Sequence, residues 1–421
     1  MKRSPIQSVK GTRDFYPEVM AQRTWLYERI RAVAQRFGYQ EYEGPILEPI
    51  ALYAAKSSDE LVKEQAFILT DRGGDELALR PELTPTLARM IAARAAQLPR
   101  PMRWWSFGPF WRYERPQKGR TREFFQWNID MLGFDDPRAD AELIAIIAAF
   151  LRDVGLGAGE VIVHVNNRRL MDSSLARIGI EGEAKKTAFH MIDKLDKMPP
   201  VEWDAYADSL GFGGEKLSAL KGILANGELW RESDELVRLF EILEAYGARA
   251  LVTFDPAIIR GLDYYTGTIF EAHERDGEFR AILGGGRYDN LVGDVGGDPL
   301  PGVGFAMGDV VFGLVLQKYG RTPALKPAPA GVLVTTFSAE LAIASARIAT
   351  ELRGAGLNVE LYPEPVKMAK QLRYADALGI GWVVIVGPDE ARDGKVALKD
   401  LASGEQIVLS VAEAAAQLRQ P

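Results

Sequence analysis

The chain reads WRYERPQKGRTREFFQWNID at residues 111–130, and this stretch decides the fold. In its second half polar and apolar residues alternate, so that Gln126 and Asp130 fall on one side and Trp127 falls on the other. A period of two predicts a strand with one polar and one apolar face. The tetrapeptide Pro116-Gln117-Lys118-Gly119 is typical of a turn. We therefore predict an antiparallel hairpin that presents arginines, a glutamine and an aspartate on one face.

The same region is strongly basic. Residues 100–122 hold seven basic side chains and one acid, although the whole chain has a net charge of −7. Guanidinium groups fixed on a sheet are suited to bind a polyphosphate, and the alternative is a solvated basic face paired with acids elsewhere. Phe124 shares the polar face, where a stacked purine would explain it. No Walker-type or Gly-x-Gly-x-x-Gly loop occurs, so ATP would bind on the sheet.

Composition limits the possible classes of protein. A length of 421 residues predicts two to three domains, and 47% hydrophobic with 26% charged residues is typical of a globular protein. The absence of cysteine excludes disulfides, iron–sulfur clusters and a cysteine nucleophile, and three histidines argue against a zinc enzyme, so we predict no metal site in the protein. Neither an apolar signal core nor a membrane-length apolar run is present, which favours a cytoplasmic location.

The pattern along the chain predicts four parts. Residues 1–320 read as an α+β domain on an antiparallel sheet, interrupted by a helical insertion at 168–250. Three prolines within 321–330 indicate a stiff linker. Alternating strand and helix patterns over 331–421 predict a small α/β domain.

Two further stretches are ambiguous on chemistry alone. Arg260-Gly261-Leu262-Asp263-Tyr264-Tyr265 suits an anion and a polar aromatic ligand, or a buried Arg–Asp pair with packed tyrosines. Gly284-Gly285-Gly286 marks close backbone approach to a ligand, or a bend after a strand predicted at 279–283.

Taken together, these stretches resemble histidyl-tRNA synthetase, a class II aminoacyl-tRNA synthetase, over essentially the whole chain. The resemblance is carried by Val9–Asp14, by a first motif at 38–45, by Arg80–Thr84, by a second motif at 111–130, by RGLDYYTG from Arg260 and by GGGRYD from Gly284. It implies a class II synthetase-like catalytic domain, an anticodon-binding domain after the linker, and a helical insertion over the tRNA acceptor stem. It also implies a homodimer, formed through the first motif.

The resemblance implies that ATP, with Mg²⁺, activates L-histidine to histidyl-adenylate, which then esterifies tRNA(His). Carried onto this sequence, Arg112 and Arg260 are the catalytic cations at the α-phosphate, and ATP also contacts Glu114, Arg120 and Phe124. The implied histidine pocket consists of Glu82, Thr84, Arg112, Gln126, Asp130, Arg260, Tyr264 and Tyr265.

Three positions depart from the family pattern. Asp130 replaces the usual glutamate, Leu83 replaces a glycine, and Val310-Val311 replaces the Glu-Arg pair of the third motif. The missing arginine normally covers adenine and touches the γ-phosphate, so we expect weaker ATP binding. It also keeps two alternatives open: a catalytically silent paralogue, such as the regulatory subunit of ATP phosphoribosyltransferase, and a free-standing tRNA-binding sensor.

Overall fold

The computed structural model describes residues 6–54, 64–259, 264–325 and 328–419, apart from the side chain of Asp196. The chain divides into two units. The first consists of Met1–Asp14 and Leu26–Thr322, and the second of Phe15–Trp25 and Pro323–Pro421.

The strands of the described residues are β1 (Gln40–Glu41), β2 (Leu47–Pro49), β3 (Phe67–Thr70), β4 (Glu76–Leu79), β5 (Met102–Trp111), β6 (Glu123–Leu132), β7 (Val161–Asn167), β8 (Val252–Phe254), β9 (Thr268–Glu274), β10 (Leu283–Tyr288), β11 (Gly302–Gly308), β12 (Val332–Val334), β13 (Val359–Leu361), β14 (Trp382–Ile385), β15 (Lys395–Asp400) and β16 (Gln406–Ser410).

The α-helices of the described residues are α1 (Pro17–Arg36), α2 (Ile50–Ala54), α3 (Thr84–Ala92), α4 (Pro137–Asp153), α5 (Arg168–Arg177), α6 (Gly182–Ile192), α7 (Pro200–Ser209), α8 (Glu215–Leu224), α9 (Asp234–Ala245), α10 (Leu291–Asp294), α11 (Asp309–Lys318), α12 (Ala342–Gly354), α13 (Met368–Ala377), α14 (Pro388–Asp393) and α15 (Val411–Leu418).

An eight-stranded sheet forms the centre of the first unit, in the order β1-β5-β6-β11-β10-β9-β7-β8. Its inner neighbours are antiparallel, as predicted, whereas the edge pairs β1–β5 and β7–β8 are parallel. One local prediction was wrong: Gly284–Gly286 lie inside β10 and do not follow a strand at 279–283. Pairing with β9 and β11 on both sides fixes this strand, although glycine has little strand preference of its own.

The two faces of β6 differ as its alternation predicts. Trp127 and Ile129 are fully buried, and the Trp127 ring lies 5.0 Å from that of Phe150 in α4. Helix α4 begins where Asp136 accepts a hydrogen bond of 2.8 Å from the backbone N–H of Arg138, an N-cap that satisfies one free donor. The apolar face is thus the core side, and the polar face is left for the site.

Residues 168–251 of the described chain contain α5–α9 and no strand. Asn167 caps α5 by accepting from the backbone N–H of Arg169 at 2.9 Å. The buried Trp203 donates its indole N–H to the carbonyl of Met191 at 2.8 Å, which joins α7 to the end of α6. The buried indole thus fixes α7 against α6.

The remaining sheets are smaller. A three-stranded antiparallel sheet has the order β2-β4-β3. The second unit has a five-stranded sheet in the order β13-β12-β14-β15-β16, in which β12 is parallel to both neighbours. Apolar clusters that include Leu352 and Ala414 on one face and Ala375 on the other show that helices cover both faces of this sheet. No helix among the described residues is both long and apolar enough to cross a membrane.

Candidate active site

A cavity opens on the polar face of the central sheet because the strand beside β6 has small residues there. In the register of β6 and β11, Asp130 pairs with Gly304, Asn128 with Ala306 and Gln126 with Gly308. The space above these pairs is therefore free for a ligand.

The cavity measures about 420 Å³. Nine of the side chains predicted from the sequence line it together: Glu82, Thr84, Arg112, Glu114, Arg120, Gln126, Asp130, Tyr264 and Tyr265. They come from stretches separated by up to 180 residues, and the fold joins them at one place. The predicted Arg260 lies outside the described residues.

We call the deeper part of the cavity the buried end, defined by Glu82, Asp130, Tyr264, Tyr265 and Tyr288. The Tyr288 hydroxyl donates a 2.6 Å hydrogen bond to Oδ1 of Asp130. Burial raises the pKa of the Asp130 carboxyl from 3.8 to about 7, and the bond from Tyr288 offsets part of this increase. No cation of the described residues forms an ion pair with Asp130, so this buried carboxyl is available to a positively charged ligand.

Gly304 is required by the position of Asp130. A Cβ atom on residue 304 would lie 1.9 Å from Oδ1 of Asp130 and 2.8 Å from the carbonyl oxygen of Ile129. Any side chain there would displace the carboxylate.

Aromatic rings enclose the buried end. The Tyr264 ring centroid lies 4.8 Å from that of Tyr265 and 6.2 Å from that of Tyr288. Leu83, which stands between Glu82 and Thr84, is 1% exposed and packs into the interior, so the replacement of the family's glycine is absorbed by the core.

We call the other part the basic end, defined by Arg112, Glu114, Arg120 and Phe124. Arg112 donates from Nε to the carbonyl of Pro81 at 3.0 Å, and its guanidinium lies 5.4 Å from the Phe124 ring centroid. Arg120 forms an ion pair with Glu114. Two cations beside one acid leave net positive charge next to an aromatic face, which suits a nucleotide.

A narrower slot of about 140 Å³ continues from the basic end. It is lined by Phe124, the Gly119–Thr121 segment, Gly308, Val310 and Val311 among others. Val311 thus lines the slot with Phe124, and where the family pattern has a guanidinium this chain has an aliphatic side chain.

The start of α11 is held by a buried acid. Asp309 accepts a 2.9 Å hydrogen bond from the backbone N–H of Phe125 and a 2.8 Å bond from the guanidinium of Arg13. Burial raises the pKa of Asp309, and the charge of Arg13 partly opposes the increase. This contact ties the opening motif to the hairpin and fixes the segment that carries Val311.

Residues of the GGGRYD stretch have different roles, some in the cavity and one in the fold. Gly284 lines the cavity, whereas Arg287 points away and its buried guanidinium pairs with Asp140 and with Asp135, the latter at 3.1 Å. Tyr288 returns to the cavity and bonds to Asp130. Arg287 therefore acts in the fold, and the residues around it act in the site.

Several lining residues were not predicted: Gln65, Asn128, Asp193, Lys197 and Tyr288. Two of these had a sequence signal, since Asn128 has the same strand parity as Gln126 and Tyr288 belongs to GGGRYD. Asp193 and Lys197, paired at 2.6 Å, come from the helical segment, whose sequence gives no sign that it reaches the cavity.

Residues 11–309 match the family model "Histidyl-tRNA synthetase", and residues 331–420 match the model "Anticodon binding domain". The histidine–tRNA ligase of Opitutus terrae is 38% identical over 94% of this chain and 94% of its own. That of Haloarcula marismortui is 37% identical over 95% and 94%.

Among solved structures, histidyl-tRNA synthetase from Nostoc sp. PCC 7120 superposes with a TM-score of 0.85 at 27% identity, covering 99% of both chains. A structure described as an ATP phosphoribosyltransferase regulatory subunit/histidyl-tRNA synthetase from Bacillus halodurans gives a TM-score of 0.73 at 23% identity and covers 89% of this chain. At that identity the second likeness concerns the fold alone.

Proposed function

The chain belongs to the histidyl-tRNA synthetase family, and from this premise we propose how its cavity performs the ligation. The activity is that of a histidine–tRNA ligase, which uses ATP to join L-histidine to tRNA. The observation that supports the proposed site is the single cavity lined by nine of the expected side chains. The relatives match this chain over nearly their full length, and both are histidine–tRNA ligases. They therefore do not favour the silent paralogue or the tRNA sensor.

ATP occupies the basic end in this proposal. Phe124 stacks on one face of adenine. The opposite face of the Phe124 ring is supported by Phe110, and the two ring centroids lie 5.9 Å apart. Arg112, fixed by the carbonyl of Pro81, holds the α-phosphate. Arg120, steadied by Glu114, neutralises the outer phosphates. Cations preorganised in this way stabilise charge that grows in the transition state.

We propose that Mg²⁺ binds together with ATP. Among the described residues no group of three or more His, Asp or Glu side chains lies together as a metal site, but Mg²⁺ is usually held by one or two carboxylates together with substrate phosphates and water. The ion would thus arrive with ATP and would need no resident metal site, and the carboxylate of Glu114, at the basic end, would be its one protein ligand. When bound, the ion neutralises charge on the phosphates.

Histidine occupies the buried end. Glu82 and Asp130 receive its cationic amino group, with Gln126 and Thr84 as further polar contacts, and a tyrosine hydroxyl of Tyr264 or Tyr265 meets its ring. Glu82 is 7% exposed and Asp130 4% exposed, so a cation that pairs with them does so with little competition from water.

The chemical step joins the two ends. A carboxylate oxygen of histidine attacks the α-phosphorus, and the bond from that phosphorus to the β-phosphate oxygen breaks to release pyrophosphate. Arg112 and Arg260 face the charge that develops on the α-phosphate. In the second step the terminal hydroxyl of tRNA(His) attacks the acyl carbon of the adenylate, and AMP leaves.

We propose the same domain limits as those expected from the sequence. The catalytic domain is 1–320 with the insertion 168–250, the linker is 321–330, and the tail domain is 331–421. The tail binds the anticodon, an assignment that the matched anticodon-binding model supports. The insertion sits over the acceptor stem. We propose a cytoplasmic location, where ATP and tRNA are available.

We also propose that the enzyme is a homodimer. The small sheet of β2, β3 and β4 exposes Leu47, Ile68 and Leu69, each more than 40% accessible, beside an exposed Ile46. Exposed apolar side chains of this size are often covered in a protein interface. Light scattering at micromolar concentration should give twice the chain mass of 46.5 kDa. A fully active monomer would contradict the proposal.

The site assignment is tested by histidine-dependent ATP–pyrophosphate exchange. We expect Arg112→Ala to lower the exchange rate by roughly 10²- to 10³-fold, since it removes one preorganised donor at the α-phosphate. Arg152, an exposed arginine at the end of α4, gives the matched control Arg152→Ala. If both variants exchange at the wild-type rate, ATP does not bind at the basic end.

A further inference from the structure

The nucleotide slot lacks the cation of the third motif, and nothing within α11 replaces it. Val310 and Val311 line the slot with apolar side chains. The next residue, Phe312, is fully buried, and the preceding Asp309 is occupied by Arg13 and Phe125. ATP carries a triphosphate, and in the proposed site Arg120 is the one protein cation assigned so far to its outer two phosphates.

The loop that joins β9 to β10, residues 275–282, supplies a candidate. In the register of β10 and β11, Leu283 pairs with Met307, so the residues just before Leu283 approach the point where β11 ends and α11 begins. Arg280 lies in this stretch and is exposed. The strand register therefore places Arg280 near the junction of β11 and α11, where the third motif has no cation.

Arg280 lies beside the basic end and has no acid of its own. Burial and the charge of Arg120 lower the pKa of the Arg280 guanidinium, while Glu114 acts in the opposite direction. Within the described part of the chain Arg280 has neither a hydrogen bond nor an ion pair, and Glu114 is already paired with Arg120. Arginine nevertheless stays charged, so the charges of Arg120 and Arg280 repel each other without full compensation.

The loop is held against the hairpin, which gives this arrangement a fixed geometry. Lys118, at the turn of the β5–β6 hairpin, donates a 2.8 Å hydrogen bond to Glu278 and lies 4.8 Å from the Phe279 ring centroid. Lys318 of α11 pairs with Asp276 at 2.7 Å and also with Glu274. Asp276 and Glu278, the acids of the loop, are thereby paired with lysines, and in the described part of the chain neither pairs with Arg280.

We propose that Arg280 is the phosphate-binding cation that takes over from the missing third-motif arginine, by contacting the β- and γ-phosphates of ATP and the pyrophosphate product. The inference rests on the proposed function of the basic end. Like-charged neighbours that repel each other in the free protein lose that repulsion when a polyphosphate binds between them, so the contact favours ATP binding more than an isolated surface arginine would.

The test compares Arg280→Ala with Arg275→Ala, a variant in the same loop whose guanidinium bonds to the carbonyl of Ala158, away from the cavity. Both are assayed by pyrophosphate exchange. We expect Arg280→Ala to raise the Michaelis constants for ATP and pyrophosphate roughly 3- to 30-fold, with the constant for histidine unchanged. Arg280→Lys should lie between. AMP, which lacks the outer phosphates, should inhibit wild type and Arg280→Ala with equal inhibition constants.

A second variant tests whether Arg280 does the work of an arginine at position 311. Val311→Arg should recover part of the loss in the Arg280→Ala background and add less in the wild type, because the two guanidinium groups serve the same phosphates. Wild-type Michaelis constants in Arg280→Ala overturn the inference, as does an equal weakening of ATP and AMP. If the wild type exchanges no pyrophosphate, the proposed function fails instead, and calorimetric titration of ATP into both proteins still decides the role of Arg280.

Discussion

The buried end and the basic end of the cavity stand on the same sheet, but they differ in how their polar groups are supported. At the buried end, Asp130 is 4% exposed and is held by one hydroxyl above a strand that has no room for a side chain at Gly304. At the basic end the cations belong to a hairpin turn, and the side chain of Arg120 is 37% exposed.

This difference predicts how each end responds to substitution. A polar group in a dry, close-packed environment has no neighbour and no water that can replace it, so removing its side chain should cause a large loss of activity. Exposed cations that share one polyphosphate compensate for one another, and water screens them, so each loss is smaller. The absence of an arginine at position 311 is therefore tolerable because this position belongs to the basic end, where several exposed cations share the phosphates.

The largest effect is expected at Arg260, the proposed second cation at the α-phosphate. Arg260→Ala should reduce adenylate formation by roughly 10²- to 10³-fold and leave histidine affinity largely intact, because a charge that acts mainly in the transition state lowers turnover more than binding. Pre-steady-state adenylate formation and histidine titration measure the two quantities. Loss of histidine affinity with a normal rate would assign Arg260 to the buried end.

A glycine substitution tests the claim that the buried end is close-packed. Gly304→Ala puts a methyl group into the space of the Asp130 carboxylate and against the carbonyl of Ile129. A misplacement of about 1 Å in a site costs about 100-fold in rate, so exchange should fall by that order. Gly313→Ala, at an exposed position in α11 where a Cβ meets nothing within 4 Å, is the matched control. Equal activity of the two variants would mean that the buried end adapts.

The pKa of Asp130 gives a test by pH. The folded protein holds a proton on this carboxyl up to about pH 7, whereas 3.8 is the ordinary value. The ionised form therefore destabilises the folded state, an effect that begins above pH 3.8 and is complete above pH 7. Asp130→Asn should raise the melting temperature, and by more at pH 8 than at pH 5, with a gain at pH 8 on the order of 2–4 kcal/mol in the free energy of unfolding.

Histidine binding should show the opposite preference, because pairing with a cationic amino group requires the carboxylate. The Michaelis constant for histidine should rise as the pH falls from 8 to 6, by up to about tenfold per unit below pH 7. Histidine also titrates its own ring near this range, so the slope is compared with that of Asp130→Asn. Identical slopes would remove Asp130 from the binding step.

The sequence predicts the two ends unequally well. Alternation along β6 predicts that Gln126 and Asp130 share a face, because a strand fixes the direction of every second side chain. It does not predict the Tyr288 bond to Asp130, since this contact joins residues 158 positions apart. Nor does it predict Asp193 and Lys197, which the helical segment brings to the cavity through packing that leaves no local pattern in the sequence.

The smallest effect concerns Val311, where the basic end departs from its family. Restoring the guanidinium with Val311→Arg adds a cation over adenine, a contact of roughly 0.5 to 2 kcal/mol, or about two- to thirtyfold in affinity. Because the proposed site already uses Arg112, Arg120 and Arg280 for the phosphates, the gain should lie at the lower end of this range and appear in the Michaelis constant for ATP with little change in the maximal rate.

The slot has limited room for this change. Val311 lies 3.4 Å from the position that a Cβ on Gly119 would take, and the slot measures about 140 Å³, so the new side chain must extend toward solvent over the ring of Phe124. Val311→Met, which has similar length and no charge, is the control for bulk. If methionine and arginine change the Michaelis constant for ATP equally, the effect comes from packing. If only arginine lowers it, the basic end accepts an additional cation, and its charge is shared among several groups as the comparison with the buried end requires.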